Sequence, residues 1–198
     1  MPDVDHPPLT RWPSWYAGRT ILGQEAIPAL AQRWDAWCNR SRHRPHRVEL
    51  VPVTADNRRA VGDLVTHKSQ ERFVAPMLGN FRDALVPPLR DGAALVPWYR
   101  AIEADEEVVG FIMVAEMTET RANPYLWRFL IDRMHQRRGI GSAALDQFEQ
   151  RCRDQGANAV EVSWTEGAGS PGRVYLARGY EPSGTIDDGE IHAVKQLS

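Results

Sequence analysis

Gln136-Arg137-Arg138-Gly139-Ile140-Gly141-Ser142 is the stretch on which the reading of this 198-residue chain turns. It lies between an apolar run of strand length, Tyr125 to Ile131, and a helical pattern from Ser142 to Arg153 that buries Leu145, Phe148 and Cys152 on one face. Glycines at that junction let the backbone turn tightly and let a ligand come close. The first N–H groups of the helix, with the helix dipole behind them, then form a site for a pyrophosphate. Arg137 and Arg138 add positive charge beside it.

A dinucleotide fingerprint competes for the same residues. Gly139, Gly141 and Ala144 fit G-x-G-x-x-A, and Glu161 stands about twenty residues on, where a ribose-binding acid would sit. That fold runs its strand almost directly into the first glycine, whereas Asp132 to Arg138 intervene here. The chain after Glu161 is also too short to build a doubly wound sheet. A tight turn carrying solvated arginines is the plainer alternative.

Outward from this stretch, strands and helices alternate. Val48 to Val53 reads as a largely buried strand, with Pro52 placing its end near an edge. Thr54 is a candidate cap for a helix from Ala55 that carries Val61, Leu64 and Val65 on one face. A shorter helical pattern covers Phe81 to Leu85 with Asn80 as a possible cap, and Pro87, Pro88 and Pro97 bracket a loop. Trp98 to Ile102 pairs with Val108 to Val114 as a hairpin. Val160, Val162 and Trp164 alternate as a strand, and Ser170-Pro171 starts a helix that stops at Gly179. Glu190 to Leu197 supplies a closing strand. The order β-α-α-β-β-β-α-β-α-β specifies a mixed α/β sheet covered by helices.

Residues 1–46 differ from this body. A proline-rich start leads to one amphipathic helix, Gln24 to Cys38, and then to a basic linker from Arg40 to Arg47. The helix must bury two tryptophans, against its own domain or against a second copy, so a homodimer is one expectation. Domains are therefore placed at 1–46 and 47–198.

Net charge is −2, which argues against nucleic acid as the main partner despite the basic stretch. No run approaches the length a membrane span needs, and the first residues lack a signal peptide's apolar core. Cys38 and Cys152 are too few for a disulfide framework and form no CxxC pair, so neither a disulfide nor a metal is expected and a cytoplasmic setting is.

Two motifs together resemble the GNAT superfamily of N-acetyltransferases. Their acetyl-CoA signature, Q/R-x-x-G-x-G/A after a strand, is matched by Gln136, Gly139 and Gly141. Ser170 to Tyr180 resembles the family's last helix with its Tyr-x-x-x-Gly-aromatic ending, here Tyr175, Gly179 and Tyr180. Within the superfamily the chain is most similar to bacterial spermine/spermidine (diamine) acetyltransferases, through Phe73-Val74-Ala75-Pro76 and Leu126 to Asp132. It departs from them after Pro76, where Met77 and Leu78 follow instead of asparagine.

The resemblance implies a GNAT fold over 47–198 and acetyl-CoA as co-substrate. Phe129, Leu130 and Ile131 would offer backbone groups to the pantetheine arm, and Gln136, Arg137, Arg138, Gly139, Ile140, Gly141 and Ser142 would hold the pyrophosphate. Tyr175 is the implied general acid for the departing thiolate; Glu116 is a candidate base, with Glu71 and Asp132 behind it. Glu71 and Phe73 would touch the acceptor, a primary amine of a small cationic molecule such as a polyamine. Antibiotic amines, amino acids and protein N-termini are the other acceptors this fold implies. A non-catalytic acyl-CoA sensor and nucleic-acid binding through Arg40 to Arg47 stand as different classes.

Overall fold

The computed structural model describes residue 32, residues 35–90 and residues 92–197. The chain divides into two units at Ser41/Arg42. In the first, residues 35–38 are helical, and the Arg40 guanidinium lies 3.5 Å over the Trp37 ring. Gln32 is helical too, and the other residues of the expected helix from Gln24 lie outside the described residues.

The second unit is built on a seven-stranded sheet. Its strands are β1 (Val48–Val51), β4 (Pro97–Ala104), β5 (Glu107–Ala115), β6 (Tyr125–Ile131), β7 (Ala159–Thr165), β8 (Glu181–Asp187) and β9 (Glu190–Gln196), in the order β1-β4-β5-β6-β7-β9-β8. Only β6 and β7 run parallel; every other neighbouring pair is antiparallel. Two short strands, β2 (Leu89–Arg90) and β3 (Ala93–Ala94), form a separate hairpin inside the proline-bracketed loop. β4 and β5 join through Asp105 and Glu106, both at positive φ, as a two-residue turn demands.

Side-chain alternation gives the sheet two covered faces. One carries α3 (Ile140–Asp154) and α4 (Gly172–Ala177). There Leu145, Phe148 and Cys152 pack with Val160, Val162, Trp164 and Tyr175. The other carries α1 (Arg58–Gly62) and α2 (Met77–Leu85), where Val61, Leu64 and Met77 pack with Phe111, Met113 and Leu130. Both layers are needed, because β5 is buried on its two faces from Val109 to Ala115.

Local details depart from the sequence reading for identifiable reasons. α1 starts at Arg58, not Ala55, because Thr54 and Asn57 close a turn first: the Thr54 N–H donates to Asn57 Oδ1 at 2.7 Å. Val65 falls beyond the end of α1 and is 47% exposed, so it leaves the apolar face it was assigned to. Asn80 is no cap. It sits inside α2, fully buried, and its amide donates back to the Ala75 carbonyl at 3.1 Å. α3 begins two residues earlier than the pattern from Ser142 indicated. β8 is absent from the sequence reading; all seven of its residues are exposed, so no buried alternation marks it.

Candidate active site

β6 and β7 pair at two registers alone, Tyr125 with Glu161 and Leu126 with Val162. Beyond Leu126 the two strands separate. A bulge helps to turn β6 away, since Met113 opposes Arg128 and Val114 opposes Leu126, leaving Trp127 as the extra residue. A cavity of about 470 Å³ occupies the resulting gap. It reaches from the Gln136–Ser142 turn, past Phe129 to Ile131, to Tyr125 and Ser163 where the strands meet. The β7-facing edge of β6 therefore presents main-chain groups without a strand partner, a surface an extended ligand can pair with.

At the wide end stands the N-terminus of α3. Gly139 precedes it with φ +80°, a left-handed conformation that disfavours any side chain. The first intrahelical bond runs from Ala143 N–H to the Gly139 carbonyl at 3.1 Å. The N–H groups of Ile140, Gly141 and Ser142 are thus left without intrahelical acceptors. No side chain caps this end, and the first turn holds no acidic residue. An uncapped fifteen-residue helix with its positive end at a cavity is suited to an anion, worth about 0.3–2 kcal/mol from the dipole alone. The residues present fit a coenzyme diphosphate.

The turn itself is rigidly anchored. Asp132 accepts from Val65 N–H at 2.9 Å and from Met134 N–H at 2.8 Å. It therefore serves the backbone rather than standing as a free base. The Gln136 amide donates to the Ile131 carbonyl at 2.9 Å and to Gln70 at 2.7 Å, tying the turn to the opposite wall. Arg137, exposed and at φ +61°, lines the cavity. Arg138 does not: its guanidinium is engaged by the His43 carbonyl and by His135 Nδ1, each at 2.8 Å. Ile140 likewise turns its side chain into the core and contributes its backbone alone. His43 and Arg44, expected in a linker, instead lie at this turn, with Arg44 3.4 Å from where a Cβ on Gly139 would stand.

Tyr175 lies on the α3/α4 face of the gap, 5% exposed, packed against the Trp164 and Tyr180 rings at 5.8 and 5.6 Å. Burial raises its phenol above the ordinary tyrosine range, so the proton stays on at neutral pH. Two features fix its helix. Gly172 lets α4 close on Trp164, because a Cβ there would collide with the indole nitrogen. Behind it, the buried Glu149 receives Lys195 at 2.6 Å and Arg178 at 3.1 Å, fastening α3, the end of α4 and β9 together.

The structure does not bring Glu116 or Glu71 to the cavity. Glu116 accepts from Arg151 at 2.6 Å, and Arg151 in turn lies 4.0 Å over Trp98. Burial and Arg151 lower the Arg100 pKa while Glu116 opposes that, so this carboxylate is the counter-ion of two arginines. Glu71 is exposed beside Phe73, and only Phe73 of the pair lines the wall, with Arg72 over its ring at 4.6 Å. Cys152 is buried, its thiol pushed up to about 12, and no nucleophile results.

Sequence reasoning missed a group at the narrow end. Tyr125 and Ser163 share a 2.6 Å hydrogen bond, and Ser163 donates to Glu190. All three line the cavity. No spacing signals such a set, since its members come from β6, β7 and β9. Among the described residues no group of His, Cys, Asp or Glu could hold a metal, and no helix is long and apolar enough to cross a membrane.

A parallel pair that opens into a seam, with a bare helix end at one side and a protonated phenol beside it, defines the class of acetyl-CoA-dependent N-acetyltransferases. The chain belongs to the acetyltransferase (GNAT) family, whose model matches residues 64–173. Solved structures agree in fold. PaiA N-acetyltransferase from Thermoplasma acidophilum, in complex with coenzyme A, is 12% identical with TM-score 0.56, covering 76% of this chain and 99% of that one. An aminoglycoside 6'-acetyltransferase type Ii is 15% identical with TM-score 0.55, covering 77% and 97%. N-acetylglutamate synthase from Neisseria gonorrhoeae, with coenzyme A and N-acetyl-glutamate, is 12% identical with TM-score 0.55, covering 77% of this chain and 35% of that one. No curated protein matches.

Proposed function

We propose that this acetyltransferase moves the acetyl group of acetyl-CoA to a primary amine of a small cationic molecule, a polyamine being the first to try. The observation that carries the reading is the seam between β6 and β7, which opens to both faces of the sheet. On the α3/α4 side lie the helix end and Tyr175; on the α1/α2 side lie Phe73, Trp127 and Glu190. Solved neighbours take acceptors as different as an aminoglycoside and glutamate, so fold alone does not select one. Glu190, the one carboxylate among the described residues of the cavity wall, supports a cation there, and the Arg128 charge on the same wall is offset by Asp83 at 3.1 Å.

In this mechanism the α3 N–H groups and Arg137 hold the diphosphate, and the free edge of β6 from Phe129 to Ile131 aligns the pantetheine arm. The amine nitrogen attacks the thioester carbonyl directly as the C–S bond breaks. Tyr175 gives its proton to the leaving sulfur, and the proton left on the new amide nitrogen departs to solvent and replenishes the phenol. Cys38 and Cys152 are free thiols, in keeping with a cytoplasmic setting.

Thiol release from acetyl-CoA with spermidine, spermine, an aminoglycoside and lysine tests the reading. We expect release with the polyamines. Release with none of the four amines, despite saturable acetyl-CoA binding, would leave a sensor and defeat the proposal.

A further inference from the structure

Resting on that reading, we propose that Glu190, acting through Ser163 and Tyr125, takes the proton that the acceptor ammonium must lose before it can attack. Hydrogen-bond bookkeeping fixes the direction of the chain. An ionised carboxylate only accepts, so Ser163 spends its single proton on Glu190 Oε2. The 2.6 Å contact between Tyr125 and Ser163 must then be donated by the phenol. That leaves the Tyr125 oxygen as an acceptor where β6 and β7 meet, on a residue 5% exposed that lines the cavity. An ammonium entering from the α1/α2 side meets a hydrogen-bond acceptor wired to a carboxylate.

The step balances without another reactant. One N–H bond of the ammonium breaks and its proton joins the Tyr125 oxygen. The Tyr125 proton moves to Ser163, the Ser163 proton moves to Glu190, and the products are a neutral amine and a protonated carboxyl. Both hydroxyls are regenerated. The relay and Tyr175 project from opposite faces of the sheet, so proton uptake from the amine and proton delivery to sulfur do not compete for one group.

Tyr175 shares the cavity with Tyr125, and Arg128 on its wall pairs with Asp83 at 3.1 Å. Arg90 lies 5.4 Å over the Tyr125 ring and pairs with Asp187 at 3.4 Å. His192 stands opposite Ser163 across the β7–β9 ladder with its Nε2 buried and unpartnered. Glu161, two residues before Ser163, is held by Arg121 at 3.9 Å and by Asn123 at 2.9 Å. Each of these carboxylates has its own partner, whereas Glu190 receives the Ser163 hydroxyl.

Glu190→Gln keeps an acceptor for Ser163 but cannot take up a proton. With whichever panel amine turns over fastest, this variant should lose about 100-fold in turnover at pH 7. The deficit should shrink as pH approaches about 10.4, where the ammonium loses its proton unaided. Ser163→Ala should show the same convergence, and the double variant should be no worse than the worse single one, as for residues acting as a unit. Acetyl-CoA affinity should be unchanged in all three. A deficit constant from pH 7 to 10, or turnover within twofold of the unaltered protein, overturns the relay while leaving acetyl transfer standing. An unaltered protein that acetylates no amine overturns both.

Discussion

The two ends of the cavity are built by different means. At the end proposed for the coenzyme, the cavity offers main chain: three helix N–H groups, a glycine without a side chain and an open strand edge. At the end proposed for the acceptor it offers side chains delivered from four places, Phe73, Tyr125, Ser163 and Glu190. The first kind of site suits a ligand that never varies, because backbone geometry tolerates wide substitution around it. The second kind can change its ligand with one or two substitutions.

The largest effect should come where the two ends meet. Tyr175→Phe keeps the ring that packs on Trp164 and Tyr180 and removes the proton donor. Turnover should fall by about 10² to 10⁴. Acetyl-CoA affinity, read by calorimetry, should hold, since the diphosphate is gripped elsewhere. Equal losses in turnover and affinity would mean that the phenol belongs to the coenzyme end after all.

A smaller effect is expected from Gly139→Ala. At φ +80° an alanine costs about 1–2 kcal/mol, although its Cβ would meet Arg44 only at ordinary contact distance, 3.4 Å. If the free protein relieves that strain by shifting the turn, binding must restore it, and acetyl-CoA should weaken by up to about tenfold. The KM for the amine should not follow. If it does, the two ends are coupled through the turn and the division drawn above fails.

The same division sets what could be read from the sequence. Gln136, Gly139 and Gly141 lie within six residues, so their geometry is local, and the strand before and helix after them were legible by period. The acceptor end was not. Tyr125 and Ser163 read as strand residues, and Glu190 begins a strand whose hairpin partner, β8, has all seven residues in water. A strand without a buried face carries no alternation, so nothing along the chain placed β9 beside β7 with Glu190 pointing at the seam. Val65 and Asn80 misled for a related reason. Their spacing was right for a helix face and a cap, but a tertiary bond to Asp132 and a local bond back to Ala75 decided their surroundings.

Glu116 gives the finest discrimination between the ends, because sequence position alone made it a candidate base and the fold removes it. Its carboxylate is taken by Arg151 at 2.6 Å and Gln155 at 3.4 Å, on the α3 flank and outside the cavity wall. Glu116→Gln should therefore leave turnover and its pH dependence unaltered. The Arg151 pair is partly exposed, 17% and 24% at its two side chains, so solvent screening keeps the stability loss to no more than about 1 kcal/mol. Arg151 still rests on Trp98, and Arg100 loses the charge that offset its neighbour. A chemical-denaturation midpoint shift with unchanged transfer is the expected pair of results. A pH profile displaced like that of Glu190→Gln would instead put the amine's proton on the far side of the sheet, and the separation of the two faces would no longer describe this enzyme.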